Sequence, residues 1–484
     1  MSTFSHLKTV PLTSCYLAAL FLFMMMPVLC YAQITFERNY GSDEDDISKC
    51  VRQTSDDGYI ICGYTRSFSA DDYDAYILRT DAYGDTLWTR VLGGPGFDAA
   101  YSLVITPDSG YLIVGNYLDP GKAQTDIWLI RMDDNGDTLW TRHNYSATNA
   151  EAHAVRLTLN DGYIVTGVRE DAGGTGHLVL METDAGGNEL WSHDYPYWST
   201  SGGNAVIATN DDGYLACGYI DTYNPTWNRN LGLVKTNSQG DTLWTRQFGG
   251  SAYEIGWSVC EGTTGGYLAA GYTTGFGAAG GDGYFVKTTD QGMMEWQYHV
   301  GKTGLDIIYD ISTTSDFNYI ATGISGEQGS EFQEAWLLKL NETGDTLWSQ
   351  SYGGYRKSYG YSVEQTSDLG YIFCGSTNAS GTNVYDVMLV KTNPDGLITA
   401  RDEPQARSDK LQIYPNPAHG PITVIVPPGS ERMIITSLSG KIILDMDISL
   451  KQKVSADLQI VPSGMYLIEV IHPTSTLLEK LIIQ

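Results

Sequence analysis

Positive charge is scarce in this chain: Lys and Arg number 29 against 57 Asp and Glu over 484 residues, a formal charge of −28. A polyphosphate would be repelled over most of such a surface and no basic stripe interrupts it, so nucleic acid is excluded as a partner. Helical periodicity is missing at any length. Alternating apolar runs, cut by DG, GG and PDG turns, predict an all-β chain instead. Cysteine is sparse as well, with only Cys50, Cys62, Cys217, Cys260 and Cys374 beyond residue 32. Three of them, Cys62, Cys217 and Cys374, share one repeat position filled elsewhere by Val114, Thr166, Ala270 and Thr322. They are expected to be small buried side chains and not a disulfide frame or a metal site.

Long apolar runs are absent with one exception. "LAALFLFMMMPVL" follows Lys8 and precedes the small-residue end "CYA", which predicts an export signal over residues 1–32 and a mature start at Gln33. The run is short for a membrane anchor and no stop-transfer charges follow, so no transmembrane segment is expected after cleavage.

Repetition is abundant. "GDTLWTR" occurs three times without change, at 84–90, 136–142 and 240–246, and its tryptophan recurs as Trp88, Trp140, Trp191, Trp244, Trp296 and Trp348. A second marker, the tyrosine of "DGY" and its variants, gives Tyr59, Tyr111, Tyr163, Tyr214, Tyr267, Tyr319 and Tyr371 at the same interval of about 52 residues. Seven units of four short strands predict a seven-bladed β-propeller over residues 33–402, since closing the units into a ring leaves no end face bare. "ITFERNYGS" at 34–42 is an extra fourth strand, with Phe36 standing 52 residues before Trp88, and the seventh unit's own fourth strand is eroded to "GLITARDEP". The N-terminal strand is therefore expected to complete the last blade.

In the first strand, the large set Lys49, Tyr101, His153, Asn204, Trp257, Tyr309 and Tyr361 precedes the mostly small set Cys50, Ser102, Ala154, Ala205, Ser258, Asp310 and Ser362. Alternation places the two on opposite faces, so the large groups are expected to fill hollows on the neighbouring blade, with a ligand platform as the alternative.

Candidate chemistry is thin. Turns such as "DDNGD" at 133–137 imitate a calcium loop in the wrong register and read as hairpin turns, so no metal and no cofactor is expected. Asp74, Asp126, Asp282, Glu334 and Asp386 precede Arg79, Arg131, Lys287, Lys339 and Lys391 by five residues, and a pattern copied round a ring suits scaffolding better than acid–base catalysis. His143, His153, His177 and His193 gather in or beside the third unit without tight ligand spacing. No catalytic signature is found.

Two resemblances bear on this chain. "DAYGDTLWTRVLGG" is similar to the repeats of quinoprotein-type propellers, which implies the fold and gives no warrant for a quinone. The C-terminal "IYPNPAHGPITVIV" (413–426), "LSGKII" (438–443), "VPSGMYLIEV" (461–470) and "EKLIIQ" (479–484) resemble the type A sorting domain of the type IX secretion system. That resemblance implies a small Ig-like β-sandwich at 411–484, read by the outer-membrane translocon of Bacteroidota-like bacteria, with cargo then released or joined to the cell surface. It carries over Tyr414, Pro415, Asn416, Pro417, Gly440, Gly464, Tyr466 and Lys480 as sorting features. The polar stretch 403–410 is the expected linker.

Function is expected where the repeat breaks. On the face carrying the links between strands two and three, "YPYWSTS" and "DTYNPTWNRN" offer Tyr197, Trp198, Tyr223, Trp227 and Arg229 as an aromatic patch with a charged edge, and "YRKS" adds Tyr355 and Arg356. The leading expectation is a secreted or surface-attached module that binds polysaccharide or protein. A hydrolase or lyase using Asp71, Asp72, Glu170, Asp171, Glu327 or Glu331, and a purely structural surface component, are the competing classes.

Overall fold

The computed structural model describes residues 33–484, apart from 70–71, 120, 123, 145–147, 197–199, 224–226, 251, 278–279, 331, 354–356, 379–383 and 400–410, and, beyond these, 417, 419, 427–428, 438–439, 450, 452, 459, 473–474 and 484. The predicted export signal and linker lie outside the described residues.

Among the described residues there is no helix, and residues 36–392 form seven four-stranded antiparallel sheets. We number these blades 1 to 7 by their first strands. Blade 1 is typical: Asp46–Gln53, Tyr59–Thr65, Asp74–Thr80 and Thr86–Leu92 pair in chain order. Its two middle strands are almost wholly buried, while the fourth is mostly half-buried. Blade 7 supplies only Ser358–Gln365, Tyr371–Thr377 and Asp386–Thr392 from its own unit, and its fourth strand is Phe36–Tyr40 from the N-terminus, with Phe36 opposite Lys391.

The opening motif is an interblade joint. Trp88, Trp191, Trp244 and Trp348 each lie 5.7 to 6.3 Å, ring centre to ring centre, from the DGY tyrosine of the following blade (Tyr111, Tyr214, Tyr267 and Tyr371). Phe36 stands 6.0 Å from Tyr59 in the same relation. Arg90, two residues after Trp88, donates from Nε to the Gly136 carbonyl at 2.9 Å and from Nη2 to that of Asn135 at 3.0 Å, capping the next blade's turn. First strands pack beside first strands all round the array, including the seventh beside the first. At that last junction Ser48 Oγ donates to the Gly375 carbonyl at 2.6 Å.

Within a blade, the buried base of the third strand ties down the turn between strands one and two. Arg79 Nη2 donates to both carboxylate oxygens of Asp56 at 2.6 and 2.7 Å, and Arg131 Nη2 to both of Asp108 at 2.5 and 2.6 Å. Lys235, Lys339 and Lys391 repeat the contact to Asp211, Asp316 and Asp368. These bases are scaffold, but their partner is the turn and not the acid five residues earlier. The five cysteines among the described residues are free and buried.

Beyond the blades, Gln412–Tyr414, Ile422–Ile425 and Lys453–Ala456 form a three-stranded sheet, and Ile442–Asp447, Arg432–Ser437, Gly464–His472 and Ser475–Ile483 a four-stranded one. Ile413, Val424 and Val454 from the first sheet share one core with Met433, Ile468 and Leu481 from the second. The tail touches the array beside the exchanged strand, where Lys453 pairs with Asp43 at 2.8 Å and Tyr414 meets Phe68 edge-on at 5.1 Å.

Candidate binding site

The large set of the first strands does not fill hollows on the neighbouring blade. Each first strand carries a register shift immediately around it, between Ser48 and Cys50 in blade 1 and at the equivalent place in the other six. The extra residue of such a bulge leaves the ladder and loses the strict alternation from which its direction was predicted. Lys49, Tyr101, His153, Asn204, Trp257, Tyr309 and Tyr361 are all only partly buried.

Several of them also touch one another. Lys49 Nζ lies 3.9 Å from the centre of the Tyr361 ring and 5.7 Å from that of Tyr64, which stands 6.5 Å from Tyr101. Tyr101 meets His153 at 5.7 Å, Trp257 meets Tyr309 at 5.6 Å, and Tyr309 meets Tyr361 at 5.1 Å. Hydrogen bonds span the remaining steps: His153 Nδ1 to the Gly203 carbonyl at 2.9 Å, and Asn204 Nδ2 to the Gly256 carbonyl at 2.8 Å. One position from each blade thus belongs to a circuit along the first strands, three of whose seven steps pass through the Tyr64 ring or a backbone carbonyl. Burial pulls the Lys49 ammonium down to about 8. Trp257 Nε1–H is buried with no acceptor among the described residues.

Three residues further along the first strands, about 10 Å at the usual strand rise, sit Arg52, Arg156 and Glu364. Arg52 Nη1 reaches Ser362 Oγ of blade 7 at 3.3 Å, and Arg52 lies 3.8 Å from Glu364. Arg156 of blade 3 feels Arg52 of blade 1, Asp310 of blade 6 and Glu364 of blade 7, and burial followed by Arg52 lowers its guanidinium pKa. Charges from four blades couple in this way only where the blades meet.

The small set carries the contact between inner strands. Ser102 Oγ accepts from Val155 N at 3.3 Å, Ser362 Oγ from Val51 N at 3.4 Å, and Asp310 from Val363 N at 2.9 Å.

The predicted loop patch fares unevenly. Tyr197, Trp198, Tyr355 and Arg356 lie outside the described residues, as do the side chains of Tyr223 and Trp227. The backbones of Tyr223 and Trp227 pair with each other, because the long departure in blade 4 is a hairpin whose strands, Tyr214–Tyr223 and Trp227–Thr236, run ten residues each. Arg229 is no free charged edge. It holds Asp221 at 2.6 and 2.9 Å and covers the Tyr219 ring at 4.0 Å.

Of the carboxylates proposed for catalysis, Asp71 and Glu331 are outside the described residues. Asp72, Glu170, Asp171 and Glu327 are divided among blades 1, 3 and 6. Asp171 accepts from Thr175 N, Gly173 N and His177, and those bonds hold its carboxyl below the ordinary range. The four histidines of the third unit separate: His143 packs against Tyr117 and Trp128, His177 pairs with Asp171, His193 bonds the Gln239 carbonyl, and His153 joins the circuit. Among the described residues no group of three His, Cys, Asp or Glu side chains could hold a metal.

The sorting features are mostly structural in the tail. Asn416 Nδ2 donates to the Lys480 carbonyl at 2.9 Å and its Oδ1 accepts from Ile482 N at 2.9 Å, stapling the segment around Pro415 to the last strand. Tyr466 donates to the Pro462 carbonyl at 2.7 Å, Gly440 turns a hairpin at φ 81°, Gly464 opens its strand, and the Lys480 side chain is exposed. Pro417 is outside the described residues.

Residues 412–484 match the family of secretion system C-terminal sorting domains. The tail is a sorting domain of type IX secretion, and the protein is secreted or attached to the cell surface. No curated protein matches the chain. Solved structures similar to it include Sqt1 from Chaetomium thermophilum, 9% identical over 74% of this chain and 99% of that one, with a TM-score of 0.44. The β-propeller domain of the Trilobed protease from Pyrococcus furiosus is 12% identical over 77% and 99%, TM-score 0.42. Puromycin hydrolase is 14% identical over 88% of this chain but 59% of its own, TM-score 0.47.

Proposed function

We propose that the chain is a seven-bladed β-propeller followed by an Ig-like sorting sandwich, and that it serves outside the cell as a binding module for polysaccharide or protein. The seven sheets, the exchanged strand and the packing of the seventh first strand against the first support a closed ring. The translocon is the partner of the tail.

One observation carries the binding role: the circuit from Lys49 to Tyr361, in which aromatic, amide and cationic side chains remain partly open at the centre of the array. The DGY tyrosines, which pack between the blades, are fully buried, whereas all seven side chains of the circuit stay partly open. Polar groups placed among aromatic faces are what a ligand site requires. The catalytic alternative has no comparable support, since its described carboxylates are dispersed.

A glycan array and a pull-down from outer-membrane extract, run with the mature chain, test this reading. Binding should be lost in Tyr309→Ala/Tyr361→Ala and kept in Trp198→Ala/Trp227→Ala. The reverse pattern would move the site to the loops, and no binding by the unaltered chain would favour a structural surface component.

A further inference from the structure

We infer that the ligand of this central site is an acidic saccharide, whose carboxylate is held by Arg156 while its ring faces stack on the aromatic circuit beside the Lys49 ammonium. The inference rests on the binding role proposed above and adds the ligand's charge.

The argument begins with unspent positive charge. In a chain with 57 acidic and 29 basic residues, a basic side chain ordinarily has carboxylates to choose from. Arg79, Arg131, Lys235, Lys339 and Lys391 each find one. Among the described residues, no carboxylate stands within 4 Å of Lys49 or Arg156. Among the described residues, Arg156 Nη1 donates to the carbonyl of the preceding Val155, at 2.8 Å. Lys49 has aromatic faces as its neighbours, Tyr361 and Tyr64.

The acids of this region are already engaged. Glu364 accepts from Gln53 N and faces Arg52, while Asp310 accepts from Val363 N, Ile311 N and Ser258 Oγ. Holding a partly buried cation without a partner costs free energy, and a bound anion repays it with charge-assisted hydrogen bonds. The surrounding negative surface sharpens the choice, because a diffuse polyanion is turned away while a single carboxylate on a narrow ligand can enter.

The rest of the lining fits a sugar. Tyr101, Trp257, Tyr309 and Tyr361 offer flat faces to pyranose C–H groups, and His153 and Asn204 add polar atoms at the same level. Arg156 lies about 10 Å further along the strands than the circuit, the reach of about two linked sugars. A free carboxylic acid without an apolar face would leave the aromatic circuit unused.

Calorimetry of the mature full chain with short oligosaccharides carrying a single galacturonate or glucuronate, each against its methyl ester, tests the proposal. At least one acid should bind tenfold or more tightly than its ester, and Arg156→Gln should abolish that preference while Lys49→Met weakens it. Both variants should melt at or above the temperature of the unaltered chain, since each removes an unpaired charge, which separates lost binding from lost folding. Equal affinity for acid and ester would overturn the inference and leave the binding role standing. If no acid binds but a neutral glycan or a protein does, the ligand class is wrong; if nothing binds, both readings fall together.

Discussion

Trp88 of blade 1 lies across Gly136 of blade 2 so closely that a Cβ on that glycine would stand 2.8 Å from the indole ring. Gly136 also sits at φ 79°, where an L side chain is strained. The glycine and the tryptophan of "GDTLWTR" are therefore needed for one reason, seen from two blades: the indole of each copy covers the turn of the next. Gly174 has the same φ of 79° with nothing within 4 Å. Gly174→Ala should cost only the backbone strain, about 1–2 kcal/mol. Gly136→Ala should add an overpacking cost of about 1–3 kcal/mol, read as a clearly larger fall in melting temperature.

The exchanged strand repeats this relationship at the junction of blades 7 and 1. A Cβ on Gly84 would meet the Phe36 ring at 2.9 Å, and the Tyr40 hydroxyl donates to the Gly84 carbonyl at 2.5 Å. Phe36→Ala should destabilise the array by about 3–5 kcal/mol, and deleting residues 33–42 should lower its melting temperature further. Calorimetry of the two chains decides this: an unchanged transition after the deletion would mean that the strand closes nothing.

Acidity should stabilise the same junction. Asp46 and Asp386 flank Gly41, and burial raises the Asp46 carboxyl to about 7 and that of Asp386 to about 6, each with a further push from neighbouring acids. Both values lie above the ordinary 3.8, so between about pH 4 and 7 the folded chain binds more protons than the unfolded one. Stability from these groups is present at the acid end of that window and is lost as the pH rises through 6 to 7. The melting temperature should be higher at pH 5 than at pH 8. Asp386→Asn should flatten the difference by raising the value at pH 8.

Much of this architecture is readable from side-chain periodicity, and the reason is physical. Trp88 and Tyr111 recur at one interval because each joint between blades needs the same two rings, so the period and the strand exchange at Phe36 follow from counting. The circuit around Tyr309 and Tyr361 was legible only as a stripe. Alternation assigns such residues to a neighbouring blade, and a bulge that turns them aside leaves no mark in composition. Arg229 misled for a different reason, since its partner Asp221 is eight residues away and opposes it only once the departure is known to be a hairpin. The bulged position could have been found by one signal: Lys49, His153 and Asn204 are poor choices for a packed interface, yet they occupy the same place as three tyrosines and a tryptophan.

Asn416 separates two roles for the tail, a fold that must be intact and a surface that must be read. Its amide bridges the Lys480 carbonyl and the Ile482 amide, so Asn416→Ala leaves both backbone groups without that partner, at about 1–3 kcal/mol. Amide exchange at Leu481, Ile482 and Ile483 should quicken in that variant, and less protein should reach the medium or cell surface. Lys480 contributes only its carbonyl to this staple, and its side chain is exposed. Lys480→Ala should therefore leave exchange unchanged. If its export falls as well, the translocon reads the lysine side chain directly; if export persists in Lys480→Ala and fails in Asn416→Ala, the signal is the fixed last strand, and the YPNP segment acts by holding it.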